Sequence, residues 1–352
     1  DGPVARRCVD FLRQTVRDDA SWPIDTNLAA WATTLSVKAL NTGGHLAQAL
    51  PAKAREQILD WLLAAQHTQV HPYTQADPGG WAWTDLSGGV PDADDTAGAL
   101  LALHALAPDE GRCLVAAERG ITWLLGLQNR DGGIPTFCRG WGRLDFDRSA
   151  ADLTAHALLS VGRWRDAMPP RLAGRIDRAG RKMLAYLARV QQPSGAWSPL
   201  WFGNQHASQQ DNPVYGTARV LIALSHQPAA DELCRRGVDY LLSAQHPRGG
   251  WGGAADVEPS VEETAVAVDA LSRVARRTGR EAARAAAGRG AAWLIERTDG
   301  GRTFPARPIG LYFARLWYSE RLYPLICTVS ALHAAADALS AGEQPSASQR
   351  VE

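Results

Sequence analysis

The chain has 352 residues and balances 37 Lys+Arg against 37 Asp+Glu, a net charge of zero. That balance argues against a nucleic-acid binder, whose footprint is a basic excess, and 45% hydrophobic with 21% charged residues excludes a disordered chain. No uninterrupted apolar run of about 18 residues is present, so no transmembrane helix is expected. Nothing at the N-terminus reads as a signal peptide, and the Asp in place of an initiating Met points to a fragment or processed product. The five cysteines (8, 113, 138, 234 and 327) are odd in number and scattered, so they read as buried free thiols of a reducing compartment. The 13 Trp outnumber both the 6 Phe and the 7 Tyr and call for an explanation.

An internal repeat supplies one. Along the chain an aromatic followed by Leu, with Gln five residues on, recurs at Trp61, Trp123, Tyr186 and Tyr240, with looser copies at Phe11 and Trp293. After each copy comes a turn, in most cases Gly-rich: Ser21-Trp22, Gly79-Gly80-Trp81, Gly132-Gly133, Gly195-Ala196-Trp197, Gly249-Gly250-Trp251 and Gly300-Gly301. A second helix-like segment follows, and four of these begin near Thr-Ala, at 96–97, 154–155, 217–218 and 264–265. Each unit therefore reads helix, turn, helix. Six units predict an all-α double ring, an α6/α6 barrel or alpha-alpha toroid, with the Ala-rich second helices inside. An open solenoid is the other arrangement such units allow.

The densest polar signal lies at the start of the third unit's predecessor: Asp92, Asp94 and Asp95 stand within four residues, just before an apolar helix. One Asp there is an ordinary N-cap. Three exceed that need, and close carboxylates cannot all ionise cheaply, so at least one pKa should rise and leave a proton donor. Capping, acid catalysis and a metal site all remain open on local sequence. Asp152 and His156 sit one turn apart in the next unit, and Asp25 and Glu262-Glu263 stand at matching places elsewhere. A protonated His beside the acid would stabilise the carboxylate left after proton donation. Aromatic faces near the turns, including Trp81, Trp141, Trp197 and Trp251, suit a hydrocarbon and the cations that develop along it.

These residues resemble a known family. The aromatic-Leu, Gln and Gly-Gly-Trp pattern is similar to the QW repeats of squalene-hopene and oxidosqualene cyclases. Asp92-Ala93-Asp94-Asp95-Thr96-Ala97 resembles the acid motif of the bacterial squalene-hopene cyclases, and Asp152-Leu153-Thr154-Ala155-His156 resembles the segment whose His assists that acid. The resemblance implies a class II terpene cyclase. Asp94 would protonate a terminal alkene of squalene or a related linear polyprene, leading through carbocations to a hopanoid-type polycycle. Asp92 and Asp95 would tune Asp94, with His156 bonded to it and Asp152 nearby. Trp83, Phe137, Trp201, Tyr215, Phe304 and Tyr312 would line the cation path.

By the same resemblance, residues 1–340 form the catalytic barrel, residues 341–352 a disordered tail, and a second helical domain of the same protein is missing. No metal or organic cofactor is implied. The partners implied are the apolar polyprene and a membrane surface, met peripherally on the cytoplasmic side. Ile24, Leu316 and Ser319 depart from the family pattern in the cavity wall, so ring count and substrate stay open while the acid does not. Three other readings compete: an inverting glycosidase on the same barrel, a zinc prenyltransferase subunit, and a non-catalytic lipid-binding relative.

Overall fold

The computed structural model describes residues 2–22, 27–137, 139, 144–312 and 316–342. The side chains of residues 145, 311, 312, 316, 341 and 342 lie outside that description. Asp25 and Trp141 therefore lie outside the described residues, as does the expected tail from residue 343 onward. In chain order the helices are α1 (Pro3–Thr15), α2 (Ala29–Asn41), α3 (Leu46–Ala49), α4 (Ala52–Ala64), α5 (Ala93–Leu106) and α6 (Gly111–Gly126). They continue as α7 (Ala151–Trp164), α8 (Pro170–Val190), α9 (Pro213–Leu224), α10 (Asp231–Ser243), α11 (Val261–Thr278) and α12 (Glu281–Arg297). Strands β1 (Gly310–Tyr312) and β2 (Leu316–Tyr318) precede α13 (Tyr323–Gly342).

Six helices pack side by side in a cycle: α2 on α5, then α7, α9, α11 and α13, which returns to α2. Their composition explains the enclosure. In α5, α7, α9 and α11, apolar residues face every direction and most residues are buried, as expected for a helix surrounded by others. Outside them, α4 and α6 lie on α5, α8 on α7, α10 on α9, and α12 on α11 and α13. The outer helices are amphipathic; α8 buries Leu172, Ile176, Met183 and Leu187 and turns its arginines outward.

The Gln of each repeat is a structural tie. Gln191 Nε2 donates to the carbonyls of Gly195, at 2.9 Å, and Leu233, at 3.1 Å. Gln66, Gln128 and Gln245 make the equivalent pair of bonds to their own Gly turn and to the next outer helix. The turn needs glycine: Gly195 has φ +92°, and a Cβ there would sit 2.3 Å from the Arg236 carbonyl oxygen. The Thr of each Thr-Ala pair closes the other side. Thr96, Thr154, Thr217 and Thr264 Oγ1 accept from the backbone N of Trp81, Ile134, Trp197 and Trp251 at 2.9–3.0 Å.

Three corrections follow. Trp81, Trp197 and Trp251 are fully buried, and each indole N–H donates to an outer-helix carbonyl, so they fill the interlayer core and line no cavity. The all-α expectation missed the antiparallel hairpin β1–β2, which pairs Gly310 with Tyr318. Helix α1, from the looser copy at Phe11, has no buried residue, and its Cys8 is an exposed thiol.

Candidate functional site

The site stands where α5, α7 and α9 begin. The repeat sets a common register there, because Thr96, Thr154, Thr217 and Thr264 hold one structural role. Two residues before each lie Asp94, Asp152, Tyr215 and Glu262; two residues after lie Gly98, His156, Arg219 and Val266. Helical geometry places both sets on one face, toward the middle of the cycle.

The acid motif is divided among three tasks. Asp92 is the N-cap of α5, and its Oδ1 accepts from Asp95 N at 2.8 Å. Asp94, 19% exposed at its side chain, meets His156: Nδ1 and Oδ1 lie 2.5 Å apart. Asp95 is buried, with Oδ1 lacking a partner among the described residues. No group of three His, Cys, Asp or Glu suited to a metal occurs among the described residues.

Burial pushes the Asp92 carboxyl up to about 7. Burial and the neighbouring Asp92 push Asp95 well above the ordinary range. Asp152 is raised to about 7 by burial and then by Asp94. Asp94 moves the other way: burial works to raise it, but His156, Arg219 and Lys38 outweigh that and hold it low. The His156 imidazole is itself lowered by burial, against the pull of Asp94. A pKa rise in the cluster is therefore present, but on Asp92 and Asp95 rather than on the residue paired with His156. Asp94 is the strongest acid of the group when protonated, because Arg219 and, when they carry a proton, His156 and Lys38 favour its carboxylate. Asp152 comes close enough to raise and be raised by charge, and its Oδ2 accepts from Leu200 N at 3.4 Å.

The aromatic candidates fall into separate groups. Phe137 joins Trp83 and Trp201 edge to face, at ring-centroid distances of 6.5 and 6.3 Å. Thr136 fixes this trio to the acid turn. Its carbonyl accepts from Ala93 N at 2.8 Å, and its Oγ1 accepts from the Trp201 indole at 2.8 Å. Tyr215 belongs to a second group, stacked on Phe202 at 4.1 Å, with Tyr323 beside Phe202. Phe304 is half-buried and joins neither group, and the Tyr312 side chain lies outside the described residues. Sequence reading missed Arg219, whose Nη2 lies 3.5 Å from His156 Nδ1, and also Lys38, Phe146, Phe202 and Tyr323. The signal for Arg219 was present: it holds the place in its repeat that His156 holds in the preceding one.

Residues 28–258 match the squalene-hopene cyclase C-terminal domain family. Enfumafungin synthase efuA from Hormonema carpetanum is 30% identical over 274 residues, covering 71% of this chain and 20% of that protein. A drimenyl diphosphate synthase from Streptomyces showdoensis is 35% identical over 229 residues, 62% of this chain and 37% of that protein. The chain thus spans well under half the length of these two curated relatives. In fold it is similar to ent-copalyl diphosphate synthase from Streptomyces platensis, with TM-score 0.67 and 22% identity over 94% of this chain and 54% of that one. It is also similar to a single-substitution variant of the type II terpene cyclase MstE from Scytonema, solved with geranylgeranyl dihydroxybenzoate, with TM-score 0.62 and 18% identity over 95% of this chain and 96% of that one. Among the described residues no helix is long and apolar enough to cross a membrane. The QW repeats, the acid motif and the matched span agree: the chain belongs to the squalene-hopene cyclase C-terminal domain family, a homologue of the class II terpene cyclases.

Proposed function

We propose that this chain initiates cyclisation of a linear polyprene by protonating its terminal alkene, with Asp94 as the donor, on a double ring of helices. The observation that carries this is the Asp94–His156 pair, flanked by Arg219. An alkene is a very weak base, so its protonation demands an acid whose conjugate base is unusually well held. Asp94, held low and so ionised near neutral pH, first takes up a proton from the medium; the alkene π pair then takes that proton to form a C–H bond, and the adjacent carbon becomes a tertiary cation. The electron pair of the broken O–H bond stays on Asp94, where the His156 N–H and the Arg219 charge stabilise it.

Asp95, raised well above the ordinary range, stays protonated near neutral pH, and Asp92 and Asp152, raised to about 7, carry only part of their negative charge there. Trp83, Phe137 and Trp201 offer electron-rich faces without nucleophilic atoms, at about 0.5–2 kcal/mol each for a cation. Squalene, giving a hopanoid-type polycycle, is the substrate favoured by the acid motif. The drimenyl diphosphate relative marks a shorter prenyl chain as the alternative outcome of the assay. A second helical domain and a membrane surface complete the reading, as the source of the remaining cavity wall and of the apolar substrate.

The test is product analysis by gas chromatography and mass spectrometry with squalene and with farnesyl diphosphate, comparing the native chain with Asp94→Asn. Asparagine keeps the shape and cannot donate a comparable proton. We expect loss of cyclised product by a factor of about 10² to 10⁴, with an unchanged circular dichroism spectrum. Retention of most activity in Asp94→Asn overturns the assignment.

A further inference from the structure

The cycle of inner helices has a second end. There the last turns of all six helices enclose an open cavity of about 1060 Å³, whose lining includes Lys38 but none of Asp92, Asp94, Asp95, Asp152 or His156. Five basic residues line it, Lys38, Arg163, Arg273, Arg276 and Arg277, with Asp337 as the one lining carboxylate; burial lowers the Lys38 ammonium to about 7. Three of the five have acidic partners: Arg273 with Asp269, Arg276 with Asp337 and Arg277 with Asp231. Among the described residues neither Lys38 nor Arg163 is ion-paired; Arg163 Nη2 instead faces His226 Nε2 at 3.1 Å.

The cations are also not spent on helix ends. Basic residues in a last turn can complement the helix dipole, yet none of these four guanidinium groups donates to a helix-terminal carbonyl among the described residues. Burial and then four arginines (Arg163, Arg273, Arg276 and Arg277) press His226 down to about 4, so its imidazole is neutral near neutral pH. Ser272 lines the same cavity, fully buried, with a hydroxyl that has no partner among the described residues. An excess of fork-shaped donors, a neutral imidazole and a free hydroxyl around one cavity suit a multiply charged oxyanion.

We infer that this cavity is a second binding site, separate from the acid, for a compact polyphosphate-bearing anion. Guanidinium groups on α7 and α11 would clamp its oxygens, and the volume admits more than a single phosphate group.

Isothermal titration of the 352-residue chain with pyrophosphate and with ATP tests this. One-to-one binding of either, weakening as salt rises, is expected. In Arg163→Gln/Arg276→Gln the Kd should rise by at least about tenfold, each tenfold corresponding to about 1.4 kcal/mol. Arg178→Gln, on the outer surface of α8, should leave Kd unchanged. Comparable binding of the two probes identifies the polyphosphate alone as the ligand, and ATP much tighter than pyrophosphate identifies a nucleotide. Circular dichroism checks the folding of the double variant, and Arg163→Gln alone serves if that variant unfolds. Absence of saturable binding by both probes, or an equal Kd in the variants, overturns the inference and leaves these side chains to their ion pairs and to solvent.

Discussion

Asp94 and Asp152 occupy equivalent places in neighbouring repeats and are driven in opposite directions, Asp94 down by its cationic neighbours and Asp152 up to about 7 by burial. Asp152 therefore binds a proton in the folded chain over a range where the unfolded chain has lost it. Its contribution to stability is present below the ordinary carboxylate pKa and is lost as pH rises through about 7. We expect Asp152→Asn, which resembles the protonated form, to be more stable than the native chain at pH 8, by roughly 1–4 kcal/mol. The two should converge near pH 4; urea unfolding at both pH values measures this, and an equal difference at both would refute it. Phe137→Ala should remove one cation contact and slow cyclisation about tenfold. It should also release partly cyclised products, since Phe137 is the ring that joins Trp83 to Trp201. His156→Ala should slow the same first step, by less than Asp94→Asn, because Arg219 remains.

The helix pairs show which part of this was legible. The Gln, Gly and Thr-Ala spacing disclosed the units because each residue has one repeated bond to make, and a repeated bond leaves a repeated letter. We expect Gln191→Ala to strand the Gly195 and Leu233 carbonyls in a buried place and to cost about 1–3 kcal/mol, read by urea unfolding. The acid motif was legible for the same reason, as a local run of Asp at a helix start. The aromatic lining was less so. Trp81 and Trp201 both follow Gly turns or their sequels, and only packing decides that Trp81 goes into the core while Trp201 reaches Thr136. Arg219 and Lys38 each stand alone among apolar neighbours, and their partners lie on other helices. The hairpin escaped because its strands are three residues each, too short for alternation to register.

The closure of the ring rests on contacts between distant parts of the chain. Trp31 Nε1 donates to the Tyr323 hydroxyl at 2.8 Å, and Ser330 Oγ donates to Asp269 Oδ2 at 2.9 Å. Arg273 Nη2 reaches Thr42 Oγ1 at 3.0 Å, so α2, α11 and α13 are joined by polar as well as apolar contacts. Removing residues 323–352 should uncover the facing sides of α2 and α11 and cost far more than any single outer-helix tie. The expected result is a broadened, non-cooperative urea transition with increased binding of a hydrophobic dye. A truncated chain with the native transition would show that five inner helices suffice.

The shared register around the ring has one more consequence. A scaffold of repeated units sets Asp94, Asp152, Tyr215 and Glu262 each two residues before the Thr that ties down its turn, much as hours stand on a dial. The point at which a reaction begins is then a choice of unit, independent of the backbone that carries it. Exchanging the occupants of two such places would turn the starting point around the ring while leaving the aromatic walls where they are. New cyclisation outcomes could thus arise by relocating a few side chains, with no new fold required.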